Sequence, residues 1–134
     1  AAAGDAVSVF QVMSNELSTP KVLCCPNDAE HSWATNFGPG LTAKNISYFV
    51  GLDAHINSPQ LLLAGHNNFQ VGGLHVKSGI LELLYGTLVQ WTSARHKSAG
   101  NICLGDGSVQ RVSNSGLRTL IQQTGLATNR LIIP

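Results

Sequence analysis

Apolar residues near the start of the chain recur with the spacing of one face of a helix. The positions are Ala6, Val9, Phe10, Met13 and Leu17. Asp5 precedes them and can cap the first turn, while Pro20 follows them and cannot continue a helix. The pattern therefore predicts an amphipathic helix of about four turns between these two residues.

The middle of the chain carries a different pattern. Residues 21–45 have few periodic apolar positions and several proline, glycine and asparagine residues, which predicts a long irregular loop. Residues 46–112 contain short apolar runs between turn-forming residues, and such runs indicate strands. Among them, the apolar stretches on either side of Lys77-Ser78-Gly79 predict a hairpin over residues 74–83.

Residues 115–125 return to helical spacing, and Gly125 can end the helix. The apolar tail at residues 130–134 is expected to pack on the fold or to add to a sheet edge. A helix, a series of strands and a second short helix predict an α+β fold in which the N-terminal amphipathic helix packs on an antiparallel sheet. The length suits a single domain over residues 1–134.

Composition narrows the range of partners. Charged residues make up 11% of the chain, well below the usual share of about 25% in soluble proteins. The net charge is +1 and the basic residues form no stripe, so nucleic acid is not expected as a partner. The chain begins with three alanines, which suggests a processed or trimmed protein whose missing part could include a membrane anchor.

The segment RHKSAGNICLGDGSVQRV carries the most specific local signal. Asp106-Gly107 lies between two apolar runs and predicts a tight hairpin turn, because both residues tolerate positive φ angles. A two-residue turn would place Leu104 opposite Val109, although a bulge or a longer turn is also compatible with the pattern. His96 lies just before the first strand, where we expect it to bond to backbone or to Asp106 and to hold the hairpin.

The spacing of His96 and Asp106-Gly107 resembles the His-x(9)-Asp-Gly motif of prepilin-like proteins and type II secretion pseudopilins, together with Gly100 and Asn101 between them. The segment from Leu23 to Asp28 is similar to the Leu-x-Cys-Pro-x-Asp segment of that family. The chain departs from the family at His66, where an acidic residue usually follows the glycine. That departure puts in doubt any inherited metal or charge role at this position.

This resemblance implies a pseudopilin-like domain without its hydrophobic N-terminal helix, in which residues 1–19 are the remnant of the pilin helix. It implies a non-enzymatic structural subunit of a type II secretion or type IV pilus-like assembly, with other pilin-like subunits as partners. The precursor would be anchored in the inner membrane of a bacterium. The globular domain would lie in the periplasm or outside the cell.

Two other functions stay open at this point. A carbohydrate- or protein-binding module would use an aromatic surface, for which Trp33 and Trp91 are the candidates. A metal-dependent hydrolase would need at least two of the five histidines to converge on an open metal position, but their spacing matches no local zinc motif. We therefore expect no catalytic residues.

We also expect no metal or other cofactor. Calcium is the open alternative, because some related pseudopilins bind it in a C-terminal loop. Calcium needs six to eight oxygen ligands, however, and the seven acidic residues of this chain are widely spread.

The three cysteines leave at least one thiol unpaired in a monomer. Cys24 or Cys25 could form a disulfide with Cys103 in an oxidising compartment, whereas free and buried thiols are the expectation from the apolar surroundings.

Overall fold

Two antiparallel sheets make up most of the molecule, which a computed structural model describes over residues 5–93 and 95–134. The larger sheet has six strands, in the order β5-β9-β1-β2-β7-β8, and the smaller has three, in the order β4-β3-β6. The strands are β1 (Tyr48–Gly51), β2 (Leu62–His66), β3 (Phe69–Val71), β4 (Leu74–His75), β5 (Gly79–Leu84), β6 (Val89–Trp91), β7 (Gly100–Leu104), β8 (Val109–Val112) and β9 (Thr128–Ile133). The helices are α1 (Ala6–Val12), α2 (Ser14–Leu17) and α3 (Asn114–Gln123), with 3-10 turns at Pro20–Leu23 and Ala43–Asn45.

The main core lies between the two sheets. Apolar side chains from one face of the larger sheet pack against β3 and β6 of the smaller sheet and against α3. Phe69 stands edge-on to Phe49 and to Trp91, an arrangement that aromatic rings favour. Helix α3 buries Leu117, Leu120 and Ile121 in this core. Its existence near the C-terminus agrees with the helical spacing seen in the sequence.

The predicted fold class is wrong in its main helical element, because residues 5–93 and 95–134 contain no long N-terminal helix packed on the sheet. Asp5 does cap α1 by accepting a hydrogen bond from the Val7 backbone, but α1 is only seven residues long. Val12 and Met13 are 84% and 40% exposed, and α1 ends there. Residues 14–17 then form the separate short helix α2.

Helix α1 instead contributes to a small second cluster, formed largely by the N-terminal segment. Ala6 and Phe10 are buried there with loop residues, and Ile132 of β9 joins them. The loop residues of this cluster are Leu23, Ala34, Leu41 and Ile46. Residues 21–45 therefore form a packed covering with little regular structure beyond two 3-10 turns.

The predicted hairpin over residues 74–83 is also wrong. β4 pairs with β3 in the smaller sheet, whereas β5 pairs with β9 in the larger one. The apolar C-terminal segment forms β9 in the interior of the larger sheet, between β5 and β1. The two ends of the larger sheet are therefore β5 and β8.

Candidate functional site

The two ends of the His96 to Asp106 motif have different partners. Asp106 is exposed, and its carboxylate accepts hydrogen bonds from the backbone N–H and the hydroxyl of Ser108. These bonds hold the pKa of the Asp106 carboxyl below its usual value. The His96 ring instead lies against Cys25 and Asn27. Asp106 thus serves its own turn, and His96 belongs to another site.

The turn itself is one residue longer than the two-residue turn considered from the sequence. Leu104 accepts a hydrogen bond from the Gly107 N–H, and its own N–H donates to Ser108, so the loop comprises residues 105–107. Gly107 has φ of +84°, as the third residue of such a loop requires. Val109 therefore lies opposite Cys103 instead of Leu104.

Gly100 and Asn101 have structural roles at the start of β7. A Cβ atom on Gly100 would lie 2.4 Å from the Trp91 ring, so only glycine lets the strand approach this buried indole. The backbone N–H of Asn101 donates to Nδ1 of His66 at 2.8 Å, while the Asn101 side chain is exposed. Gly100 and Asn101 thus each lie against a buried ring, Gly100 against that of Trp91 and Asn101 against that of His66.

A buried polar network lies where the segment after the first 3-10 turn meets Arg95. The Asp28 carboxylate accepts a hydrogen bond from the Ser47 hydroxyl at 2.7 Å, and one of its oxygens lies 3.3 Å from the Arg95 guanidinium. Arg95 also donates to the Ser47 carbonyl and to the Asn67 side chain. His31 Nδ1 lies 2.6 Å from the same carboxylate. The network joins the packed loop of residues 21–45 to the sheet.

Asp28 is charged in this network. Burial alone would raise the pKa of its carboxyl, but the hydrogen bonds from Ser47 and the Glu30 backbone, with Arg95 and His31 nearby, lower that pKa below its usual value. The side chains of Asp28 and Arg95 are 1% and 5% exposed. An ion pair this deep is stable only because further hydrogen bonds satisfy both partners.

Cys25 and His96 form a thiol–imidazole pair at this junction. Sγ of Cys25 lies 3.1 Å from Nε2 of His96, and the Asn27 amide lies 3.5 Å from Nδ1 on the other side of the ring. The Cys25 backbone N–H donates to the Ser47 hydroxyl, which links this pair to the Asp28 network. Burial, with Arg111 and Arg95 nearby, lowers the pKa of His96, so its imidazole is neutral at neutral pH.

His66 stacks beside this pair. Its ring centroid lies 4.5 Å from that of His96 and 5.1 Å from that of Tyr48. The residue is 2% exposed. Burial, the neighbouring His96 and Arg95 together lower the pKa of His66 to about 4. His66 is therefore neutral at physiological pH.

Cys25, His66 and His96 offer ligand atoms that all lie within 4.8 Å of one another, and this group could hold a metal ion. One sulfur and two imidazole nitrogens suit zinc or copper, and they do not suit calcium, which prefers oxygen. The sequence contained every residue of the group but no local zinc spacing. Cys25 and His96 are separated by 71 positions.

The other sequence candidates are placed apart from this group. Trp33 is 61% exposed, with the Lys21 ammonium 5.5 Å from its ring centroid, whereas Trp91 is 4% exposed inside the core. The two indoles therefore do not form one aromatic surface.

Cys24, Cys25 and Cys103 are all free thiols, and Cys103 is the most accessible of the three. Burial raises the pKa of Cys24, and burial together with Asp106 raises that of Cys103.

The sequence pointed to His96 and to the Cys25 to Asp28 segment separately, but it missed Arg95, Ser47 and His66 as parts of one site. The available signal was the pair of adjacent residues Arg95-His96, which offers a cation and an imidazole to the acidic and thiol residues of the other segment.

Comparisons of the chain with protein-family models, with curated proteins and with solved structures find no match. Within residues 5–93 and 95–134, no helix combines the length and the apolar character that crossing a membrane requires.

Proposed function

We propose that this chain is a non-enzymatic structural subunit of a type II secretion or type IV pilus-like assembly in the bacterial cell envelope. The resemblance of its two motifs to prepilin-like proteins supports the choice of family. The observation that carries the assembly role is the edge strand β5, which ends the larger sheet in the part of the chain that the structure describes.

β5 has the properties of an edge that accepts another strand. Among the described strands it pairs with β9 on one side only, which leaves the backbone groups on its outer side without a strand partner there. Ile80 and Leu84 are 56% and 60% exposed, and Glu82 is the one charged residue among its six. Proteins that avoid edge pairing place several charges or a proline at such a position. β5 has neither a second charge nor a proline.

The opposite end of the same sheet offers a second and different edge. β8 pairs with β7 and with no other described strand, and Val109 on it is 64% exposed. A contact that joins β5 of one copy to β8 of the next uses two different surfaces. Such a heterologous contact does not close on itself in a pair, and it generates rings or open filaments. We propose another pilin-like subunit, in the simplest case a second copy of this chain, as the occupant of each edge.

The remaining parts of the proposal follow from the resemblance. The globular domain would lie in the periplasm or outside the cell, and an N-terminal helix on the precursor would anchor it in the inner membrane. This role requires no cofactor. Calcium gains no support from the side chains, because the candidate cation group among the described residues has one sulfur and two imidazoles.

Edge-blocking variants test this proposal. Ile80→Lys with Leu84→Lys places two charges on β5, and Val109→Lys places one on β8. Each variant alone should weaken self-association by at least about tenfold, which corresponds to about 1.4 kcal/mol, in a sedimentation-velocity concentration series. Ile56→Lys is the matched control, since Ile56 is 90% exposed and lies outside every strand.

Mixing the β5 variant with the β8 variant tests whether β5 of one copy pairs with β8 of another. Each variant keeps one intact edge, so the mixture should form heterodimers that neither variant forms alone and that do not extend further. Wild-type protein that stays monomeric at millimolar concentration, or β5 variants that associate like Ile56→Lys, would contradict the assembly role.

A further inference from the structure

We propose that Cys25 is a nucleophilic thiol and a covalent modification site for small disulfides. In this proposal His96 accepts the thiol proton, and Asn27 positions the His96 ring. The proposal concerns a site away from the edges of the sheet and does not depend on the assembly role.

The His96 ring lies between Cys25 and Asn27, so the three side chains are arranged as a thiol, a base and a group that orients the base. Sγ of Cys25 and Nε2 of His96 are 3.1 Å apart, within the range at which the ring nitrogen accepts the thiol proton. The Asn27 amide lies 3.5 Å from Nδ1 on the far side of the ring. Its oxygen and nitrogen are interchangeable by a turn of the amide. With the oxygen toward the ring, Asn27 accepts the Nδ1 proton and leaves the Nε2 lone pair facing the sulfur.

A hydrogen bond fixes the backbone that carries the His96 ring. The Arg111 guanidinium donates to the His96 carbonyl at 3.3 Å.

A cavity borders Cys25. Its volume is about 380 Å³, and Cys25 lies in its wall with the exposed indole of Trp33. The other lining residues are Cys24, Pro26, Asp28, His31 and Ser32. A small aromatic disulfide fits this volume and can pack against the indole face.

The hydrogen bonds of His66 favour the thiol over a metal ion in this group. The Asn101 N–H donates to Nδ1 of His66, so that lone pair is occupied. In the neutral ring the proton is then on Nε2. Neither nitrogen offers a free lone pair, whereas a metal-binding histidine donates from its second nitrogen to an acceptor. Cys25 and His96 are then the two available ligands, too few for a structural metal site.

The proposed reaction is thiol-disulfide exchange. His96 Nε2 takes the proton of Cys25, and the sulfur attacks one sulfur of a small disulfide. A new S–S bond joins Cys25 to one half of the reagent while the original S–S bond breaks. The other half leaves as a thiolate and receives the proton from His96. Electrons and atoms balance without a further oxidant.

The test measures the reaction of each cysteine with 2,2′-dithiodipyridine in the folded, reduced protein, with the labelled peptides identified by mass spectrometry. Exposure alone predicts that half-buried Cys103 reacts before Cys25, which is 3% exposed. The proposal predicts the reverse order, with Cys25 at least about tenfold faster. His96→Gln should remove this advantage and leave the Cys103 rate unchanged in the same molecules.

Variants of Asn27 separate positioning from packing. Asn27 is exposed, so Asn27→Ala should leave the fold intact and slow Cys25 several-fold. Asn27→Asp should retain the rate, because its carboxylate still accepts the Nδ1 proton. Equal rates for Cys25 and Cys103, or a Cys25 rate that His96→Gln leaves unchanged, would overturn the proposal.

A cobalt titration distinguishes the metal alternative. A sulfur-to-cobalt charge-transfer band that requires Cys25, His96 and His66 would assign a metal site and overturn the proposal. His75→Ala is the control, since His75 is exposed and lies outside the group. The proposal predicts no such band at stoichiometric Co²⁺.

Discussion

His96 and Asp106 belong to one sequence motif but lie in two unlike environments. His96 contacts Cys25 and Asn27 from the loop after the first 3-10 turn, next to a buried ion pair between Asp28 and Arg95. Asp106 lies in an exposed turn and bonds only to Ser108 among the described residues. One end of the motif joins distant segments of the chain, and the other shapes a local turn. Fixed spacing within a motif therefore does not imply contact between its ends.

The largest expected loss of stability is at the buried junction next to His96, where Asp28 pairs with Arg95. Asp28→Ala leaves Arg95 buried without its carboxylate partner, and it should lower the free energy of unfolding by about 3 kcal/mol in urea denaturation. The control is Asp53→Ala, which removes the more exposed ion pair with Arg130 and should cost clearly less. Equal losses in the two variants would contradict the importance of the buried junction.

The pH dependence of stability should reveal the lowered pKa of His66 at the same junction. Its pKa is about 4 in the folded protein against 6.5 for the ordinary side chain. Between these values the unfolded chain binds a proton that the folded chain does not, so stability falls as pH falls from 6.5 to 4. The loss due to His66 amounts to about 3 kcal/mol. Subtracting the curve of His66→Gln isolates this contribution, and parallel curves would show that His66 titrates normally.

A smaller effect is expected in the turn at the exposed end. Gly107→Ala forces a side chain into φ of +84° and should cost about 1 kcal/mol, measured by the same urea denaturation. Gly40→Ala is the control, because Gly40 has no positive φ and a Cβ there would make only ordinary contacts. No difference between the two variants would mean that the loop at residues 105–107 adopts another conformation.

Asp106→Ala should have the smallest effect. It removes two hydrogen bonds to Ser108 that are open to water, so its loss of stability should be less than that of Gly107→Ala. Thermal unfolding of both variants provides the comparison. A loss as large as that of Asp28→Ala would place Asp106 in the buried network and remove the contrast between the two ends.

Local patterns allowed the local features to be predicted. The cap at Asp5, the turn at Asp106-Gly107 and the helix near the C-terminus each depend on residues that are close in sequence. The extent of the first helix was not predictable in this way. Apolar spacing includes Met13, but Met13 is 40% exposed and α1 ends there.

Strand pairing depended on contacts that spacing does not reveal. Residues on either side of Lys77-Ser78-Gly79 are adjacent in sequence, yet β4 and β5 belong to different sheets. β9 offers β5 a partner along its whole length, in register from Gly79–Ile133 to Leu84–Thr128. In this pairing Leu83 of β5 and Leu131 and Ile133 of β9 are buried in the main core.

The sequence allowed only part of the candidate site to be predicted. Both motifs that build it were recognised, but nothing in either indicates that His96 contacts Cys25. That contact depends on Arg95 and Asp28, whose opposite charges are buried together as the N-terminal covering packs on the sheet. In a chain with so few charged residues, each buried charge has few partners available.

Two double-mutant cycles test the central claim, that the ends of the motif act separately. Unfolding free energies of Cys25→Ser, His96→Gln, Asp106→Ala and the double variants that include His96→Gln give the coupling of His96 to each partner. The structure predicts a coupling of about 1 kcal/mol or more between His96 and Cys25, and a coupling between His96 and Asp106 that is within experimental error. Strong coupling of His96 to Asp106, with none to Cys25, would contradict the account.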